Sequence, residues 1–221
     1  MRLRCRMLSW MVLAFLFLKS EARAQIPVEI FAGDEKASFD LLFFKFFKNK
    51  AGQNSKFLFF SRERALMDYK QTSGSNLPQF GFTEAISYNH PALKGFAPVV
   101  VGQILNRGIF AKTGVQYAHV STTFTVFGWS VVELDEKPDI DVFLLLRYTP
   151  KLSKKWHLFS QIELINALPT DKTAHFNFTQ RLRLGLKKAD WQFGVGSDFS
   201  TIGKKTYTAS QNIGLFFRHE F

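Results

Sequence analysis

From Asp139 to Thr149 apolar and polar positions alternate: Ile140, Val142, Leu144, Leu146 and Tyr148 fall on one face, Asp141, Phe143, Leu145 and Arg147 on the other. A period of two is that of an extended strand, not of a helix. The pattern repeats from Trp156 to Ala167, where Trp156, Leu158, Ile162 and Leu164 oppose His157, Phe159, Gln161 and Glu163. It returns from His175 to Lys187, where Phe176, Phe178, Leu182, Leu184 and Leu186 oppose Asn177, Thr179, Arg181 and Arg183. Each of these segments keeps one face almost free of charge. Less regular stretches predict further strands near 37–48, 56–69, 79–89, 97–105, 108–118, 122–134, 190–200 and 206–221. Asn106-Arg107-Gly108, Asp135-Glu136-Lys137-Pro138, Pro169-Thr170-Asp171 and Ile202-Gly203-Lys204 supply the turns between them. No helical periodicity, internal repeat or linker interrupts the series, so residues 25–221 read as one domain.

These segments make eleven strands, whereas single-chain bacterial membrane barrels have an even number. The weaker stretch Pro27 to Ala32 is the candidate twelfth. The expectation is therefore an all-β fold, an antiparallel transmembrane β-barrel of about twelve strands with ten as the alternative. Its loops are short, the longest running from Lys70 to Pro78. Alternation also suits a water-soluble, lipocalin-like barrel with its apolar face turned inward. Three sequence features favour the membrane form. Aromatic residues lie near strand ends (Phe57, Phe59, Tyr69, Tyr88, Tyr117, Tyr148, Trp156, Trp191 and Tyr207), no helix flanks the strands, and the last strand ends on Phe221. The N-terminus is the fourth.

There, Arg2, Arg4 and Arg6 precede an apolar run from Met7 to Leu18, and Ala22-Arg23-Ala24 has the small-x-small form of a cleavage site. Residues 1–24 thus read as a secretory signal peptide. Cys5 is the single cysteine, so the exported chain is expected to have neither disulfide nor thiolate chemistry. Removing the leader leaves 24 Lys and Arg against 17 Asp and Glu. For an exported protein this basic excess points away from nucleic acid and towards phosphate-bearing head groups of outer-membrane lipids. After the leader no apolar run is long enough for a helical span, so embedding requires a closed barrel.

The final strand places Ile213, Leu215, Phe217 and Phe221 on one side and Asn212, Gly214, Phe216, Arg218 and Glu220 on the other. It resembles the C-terminal assembly signal of bacterial outer-membrane β-barrels. That resemblance implies recognition by barrel-assembly machinery, a Gram-negative outer-membrane location and a periplasmic Phe221. Phenylalanine-rich segments such as Ser55–Arg62 and Gln79–Ala85 resemble small, short-loop outer-membrane barrels of Bacteroidota. The order of segments is more distantly similar to the twelve-stranded, nucleoside-specific channel-forming family, although no nucleoside-contacting residue can be carried over.

Inward-facing positions then read as Arg62, Arg64, Lys112, Arg147, Arg181, Arg183 and Arg218 against Asp40, Glu84, Glu133, Asp141, Glu163, Asp198 and Glu220. Equal numbers favour internal ion pairs over a pore selective for one sign. Trp129, Phe143, Phe159 and Phe216 would narrow the bore further. Such charges either fill and rigidify the barrel or line a binding site or narrow solute path. Glu63, between Arg62 and Arg64, would face lipid under strict alternation, so a bulge or a strand exit is expected there. Lysines gather at turns (Lys48, Lys50, Lys151, Lys154, Lys155, Lys187, Lys188, Lys204 and Lys205), as solubilising or lipid-anchoring residues do. With a periplasmic Phe221 the 204–205 turn lies outside the cell, and the 151–155 and 187–188 turns lie on the periplasmic side.

Catalytic chemistry finds little purchase. His157 and Ser160 fall on opposite faces of one strand, His175 is inward beside Asn177, and His119 sits at a strand end. No serine/histidine motif of outer-membrane phospholipases and no histidine pair with metal-ligand spacing is found. Residues for an aspartate/histidine site exist, but nothing places them together. No cofactor is implied, and the Asn177-Phe178-Thr179 sequon lies within a strand. The leading expectation is a non-enzymatic barrel, structural or accessory to an outer-membrane assembly and its protein partners. A narrow diffusion channel for small polar solutes is second, with Arg147, Arg181 and Arg183 facing Glu133 and Glu163. A barrel-embedded hydrolase is third.

Overall fold

Period-two alternation becomes twelve strands in the computed structural model, which describes residues 26–70, 79–106, 108–170 and 176–221. The expected leader with Cys5, most of the Lys70–Pro78 loop, Arg107, Asp171 and His175 lie outside those residues. In chain order the strands are β1 (Pro27–Gly33), β2 (Lys36–Lys48), β3 (Asn54–Asp68), β4 (Gln79–Tyr88), β5 (Phe96–Leu105) and β6 (Gly108–Val120). They continue with β7 (Phe124–Glu133), β8 (Asp139–Tyr148), β9 (His157–Pro169), β10 (Phe176–Lys188), β11 (Trp191–Gly203) and β12 (Tyr207–Glu220). Each pairs antiparallel with its chain neighbours, and β1 pairs with β12 to close the barrel. One 3-10 turn, Pro91–Leu93, is the sole helical element among the described residues. The weak Pro27–Ala32 stretch is indeed the twelfth strand, and seven residues suffice because β2 and β12 hold it on both sides.

The outer face decides between the two barrel types. Ile30, Val100, Ile109, Val115, Ile162, Leu184, Val195, Ile213 and Leu215 all stand exposed on the outside, Leu184 at 54%. Arginines, carboxylates and amides are instead buried within the bore. A water-soluble barrel would reverse this, so the lipocalin-like alternative is overturned. An apolar belt around a closed, internally polar barrel is the architecture of an outer-membrane protein, with every strand edge satisfied.

At the end of the barrel that carries Pro27 and Phe221, called here the terminal end, rings pair across neighbouring strands. Phe57 meets Tyr88 at 5.3 Å, Phe96 meets Tyr117 at 4.9 Å and Trp191 meets Phe217 at 4.9 Å. His219 lies between Trp191 and Phe221, at 3.9 and 4.4 Å. Ring faces that are apolar with polar edges suit the head-group level, so these pairs form an aromatic girdle.

Closure depends on backbone and on one amide. Ile26 and Phe221 exchange N–H···O bonds of 3.1 Å in both directions. At the far end Asn212 Oδ1 accepts from the N–H groups of Glu35 and Lys36, each at 3.0 Å, while its Nδ2 donates to Lys36 O at 3.1 Å. The β1–β2 turn is thereby pinned to β12. The amide occupies the space beside Gly33, where a Cβ would collide with it.

Inside, the bore divides. Leu42, Leu58, Phe60, Ala85, Val99, Val101, Phe127, Trp129, Val131, Phe143 and Leu145 form one apolar cluster along β2–β5, β7 and β8. Phe127 is fully buried and stacks between Phe44 and Phe60, with 5.1 Å between centroids on either side. This stack joins β2 and β3 to β7 across the bore. The opposite half, along β9–β12 and β1–β3, is charged.

Candidate functional site in the lumen

Arg181 on β10 sits at the middle of the charged half. Its register partners on the neighbouring strands are Glu163 on β9 and Asp198 on β11, so alternation alone puts two carboxylates beside it. Its guanidinium also reaches Asp40 on β2 and Glu29 on β1, the latter at 3.3 Å. Arg62 on β3 grips Asp40 with two N–H groups, at 2.6 and 3.2 Å, and crosses the bore to Glu163 at 2.8 Å. Arg183 bonds Glu29 at 2.9 Å and Asp198 at 2.7 Å. Arg64 crosses to Asp198 at 3.1 Å.

Four arginines and four carboxylates from six strands thus form one network, and no side chain in it is more than 16% exposed. Mutual neutralisation is what makes such burial tolerable, because an unpaired charge in a poorly hydrated space costs several kcal/mol. Small residues make room for the long side chains. The Arg183 Cζ lies over Phe31, 4.0 Å from the ring centroid, and a Cβ at Gly196 would strike both residues.

The network separates two cavities. One, of about 380 Å³ at the far end, is lined by Phe60, Arg62, Arg64, Trp129, Asp141 and Phe143. The other, of about 500 Å³ at the terminal end, is lined by Phe44, Thr125, Arg147, Phe159, Gln192 and Glu220. Between them lies a void of only about 10 Å³ bounded by Glu29, Asp40, Gln161, Glu163, Arg181 and Arg218. That is space for about one water molecule.

Of the residues expected in the lumen, Asp40, Arg62, Arg64, Glu163, Arg181, Arg183 and Asp198 meet in this network. Lys112 and Asp141 form a separate ion pair, and Glu133 is the register partner of Lys112 on β7. Arg147 and Arg218 stand on the terminal side of the network. Glu220 accepts from Lys187 and Gln192, both at 2.6 Å, so Lys187 serves the bore rather than a turn.

Glu84 requires a correction. Thr83, Ala85 and Ser87 are the buried, inward positions of β4, while Phe82 and Ile86 are exposed, which puts Glu84 on the outer face. There it accepts a 2.9 Å hydrogen bond from Ser61. The expected bulge at Glu63 is also absent. Pairing of β2 with β3 runs unbroken from Lys36 to Phe46, with its shift only between Phe46 and Lys48. The strand exit offered as the alternative is absent too: Glu63 lies within β3, paired to β2 and β4, on the outer face near Glu84, and the Ser61 hydrogen bond reaches Glu84 alone.

Glu29 was missed because its strand is short and its alternation weak. Gln161 was legible only as a polar inward residue. His157 and Ser160 are three residues apart on β9, and Ser160 Oγ donates to Tyr148 O at 3.0 Å rather than to a histidine. Among the described residues no group of three or more His, Cys, Asp or Glu is placed to hold a metal ion.

No family model and no curated protein matches this chain. Among solved structures it is similar to the KdgM porin in complex with disordered oligogalacturonate. The two are 13% identical, the match covers 90% of this chain and 99% of that one, and the TM-score is 0.50. A second structure of KdgM porin matches at 12% identity with the same coverage and TM-score. The translocator domain of the autotransporter NalP from Neisseria meningitidis superposes at a TM-score of only 0.30 and carries no weight. At such identities the KdgM likeness shows a shared fold: a closed outer-membrane barrel of the porin kind.

Proposed function

We propose that this protein is a non-enzymatic outer-membrane barrel whose lumen is closed at mid-depth, and that it serves as a structural or accessory component of an outer-membrane assembly. The observation that carries this reading is the cross-bore network of Arg62, Arg64, Arg181 and Arg183 with Glu29, Asp40, Glu163 and Asp198. It leaves a void of about 10 Å³ between the two cavities, and the aromatic stack blocks the other half of the section. Phosphate-bearing lipids would contact the turn lysines, and barrel-assembly machinery would read the strand ending in Phe221. Refolded protein in a planar bilayer is expected to show no resolved current steps. Steps that change with added small polar solutes would instead establish a channel.

That channel is the second reading, a narrow diffusion path for small polar solutes. It is favoured by the two cavities facing each other across the network, and by the fold shared with a porin that was solved with an acidic saccharide. The balanced charge of this lumen argues against the same saccharide class here, since a polyanion needs a basic surplus along its whole path.

A further inference from the structure

The charged half of the bore is balanced as a whole but not at each level. Arg147 on β8 and Arg218 on β12 lie just beyond the network, towards the terminal cavity. Neither has a carboxylate within ion-pair distance among the described residues. Both donate instead to one neutral atom, Gln161 Oε1, at 2.8 and 3.2 Å. They also flank one ring, their Cζ atoms lying 5.9 and 5.6 Å from the centroid of the fully buried Phe159.

Nearby carboxylates are already engaged. Glu220 is taken by Lys187 and Gln192, and Glu163 accepts from Gln161 Nε2 at 2.7 Å besides its arginines. Arg147 Nη2, Arg218 Nε and Arg218 Nη2 are buried with no protein acceptor, and Arg218 is only 3% exposed. A buried and a half-buried cation sharing one amide oxygen are costly unless a counter-charge joins them. A glutamate at position 161 would have supplied it, yet the chain carries glutamine.

We propose that Arg147 and Arg218 form a binding site for the carboxylate or phosphate group of a small solute that enters through the terminal cavity. Arg147 lines that cavity of about 500 Å³, and Arg218 borders the small void behind it. Guanidinium groups offer paired N–H donors that match two oxygens of one oxyanion. Thr125 and Gln192, which line the same cavity, can hydrogen-bond the remainder of the solute. Lipid head groups are excluded as the source, because both arginines face the bore and not the bilayer. The site needs no conduction, since the network closes its inner end.

The test is calorimetric titration of the refolded barrel, in an uncharged sugar detergent at constant ionic strength, with inorganic phosphate and separately with acetate. Saturable binding of either is expected. Arg147→Gln and Arg218→Gln should each weaken it by about tenfold or more, given the strength of charge-assisted hydrogen bonds. Lys205→Gln, in an exposed turn at the far end, should leave it unchanged. Thr125→Glu keeps both arginines and places a carboxylate on the register partner of Arg147, so it should abolish binding even if an arginine variant fails to fold. Absence of saturable binding for both anions, or full binding retained by Arg147→Gln or Thr125→Glu, overturns the site.

Discussion

Leu184 shows what a single outward residue contributes. It is 54% exposed near the middle of β10, between Leu182 and Leu186, where the hydrocarbon of the bilayer is its solvent. Leu184→Arg is expected to destabilise the barrel by about 2–4 kcal/mol, as charges do near the midplane of such barrels. Denaturant titration of the folded protein in lipid vesicles measures this, and an unchanged midpoint would contradict the outward assignment. At this scale the sequence was most legible where alternation was strict. Arg181, Arg183 and Glu163 could be placed inward from their neighbours alone. At Glu84 the expectation that a charge faces inward overrode the alternation, which sets Glu84 on the same face as Phe80, Phe82 and Ile86. Of the expected facing of Arg147, Arg181 and Arg183 with Glu133 and Glu163, only Arg181 with Glu163 forms an ion pair; Arg183 pairs with Glu29 and Asp198, and Arg147 donates to Gln161. Contacts such as Arg62 with Glu163 join residues 101 positions apart in the chain, which alternation does not bring together.

At the scale of elements, the strands were readable because hydrophobic period and turn chemistry agreed. The predicted 139–149, 156–167 and 175–187 segments became β8, β9 and β10 with no end shifted by more than two residues. β1 was the exception, and its capture depends on contacts that lie far away in sequence. Asn212→Ala removes both acceptor bonds to the β1–β2 turn and the donor bond to Lys36 O. Loss of these three partly buried hydrogen bonds is expected to cost about 2–4 kcal/mol. Hydrogen exchange should then rise selectively in β1 while β6–β9 keep their protection. Removing Phe221 takes away the last ring of the terminal girdle and the Ile26 backbone pair. Lower surface levels in cells are the expected result, with the isolated protein still able to refold.

For the whole molecule, the network makes opposite walls depend on one another. Arg181→Ala leaves Asp40, Glu163, Glu29 and Asp198 short of a shared cation. It should cost about 3–5 kcal/mol, the usual penalty for breaking a buried pair from one side. The same change enlarges the void between the two cavities, so the variant should conduct small ions in a planar bilayer where the parent does not. A stable but silent variant would show that the aromatic half alone suffices to close the bore.

The pairing of β1 with β12 also sets a schedule. Residues 27–33 of β1 pair with 214–220 of β12, the twelfth strand, so this edge of β1 must wait unpaired until all the intervening strands exist. A sheet growing along the chain keeps two open edges throughout, and open edges recruit other chains. Closing a ring between contacts so distant in sequence is slow in water, where local pairings form first. Completion is therefore a single late event, in which the strand synthesised last relieves the strand synthesised first. Until then both edges stay open to pairing with other chains, and a chain cut short before β12 keeps them open.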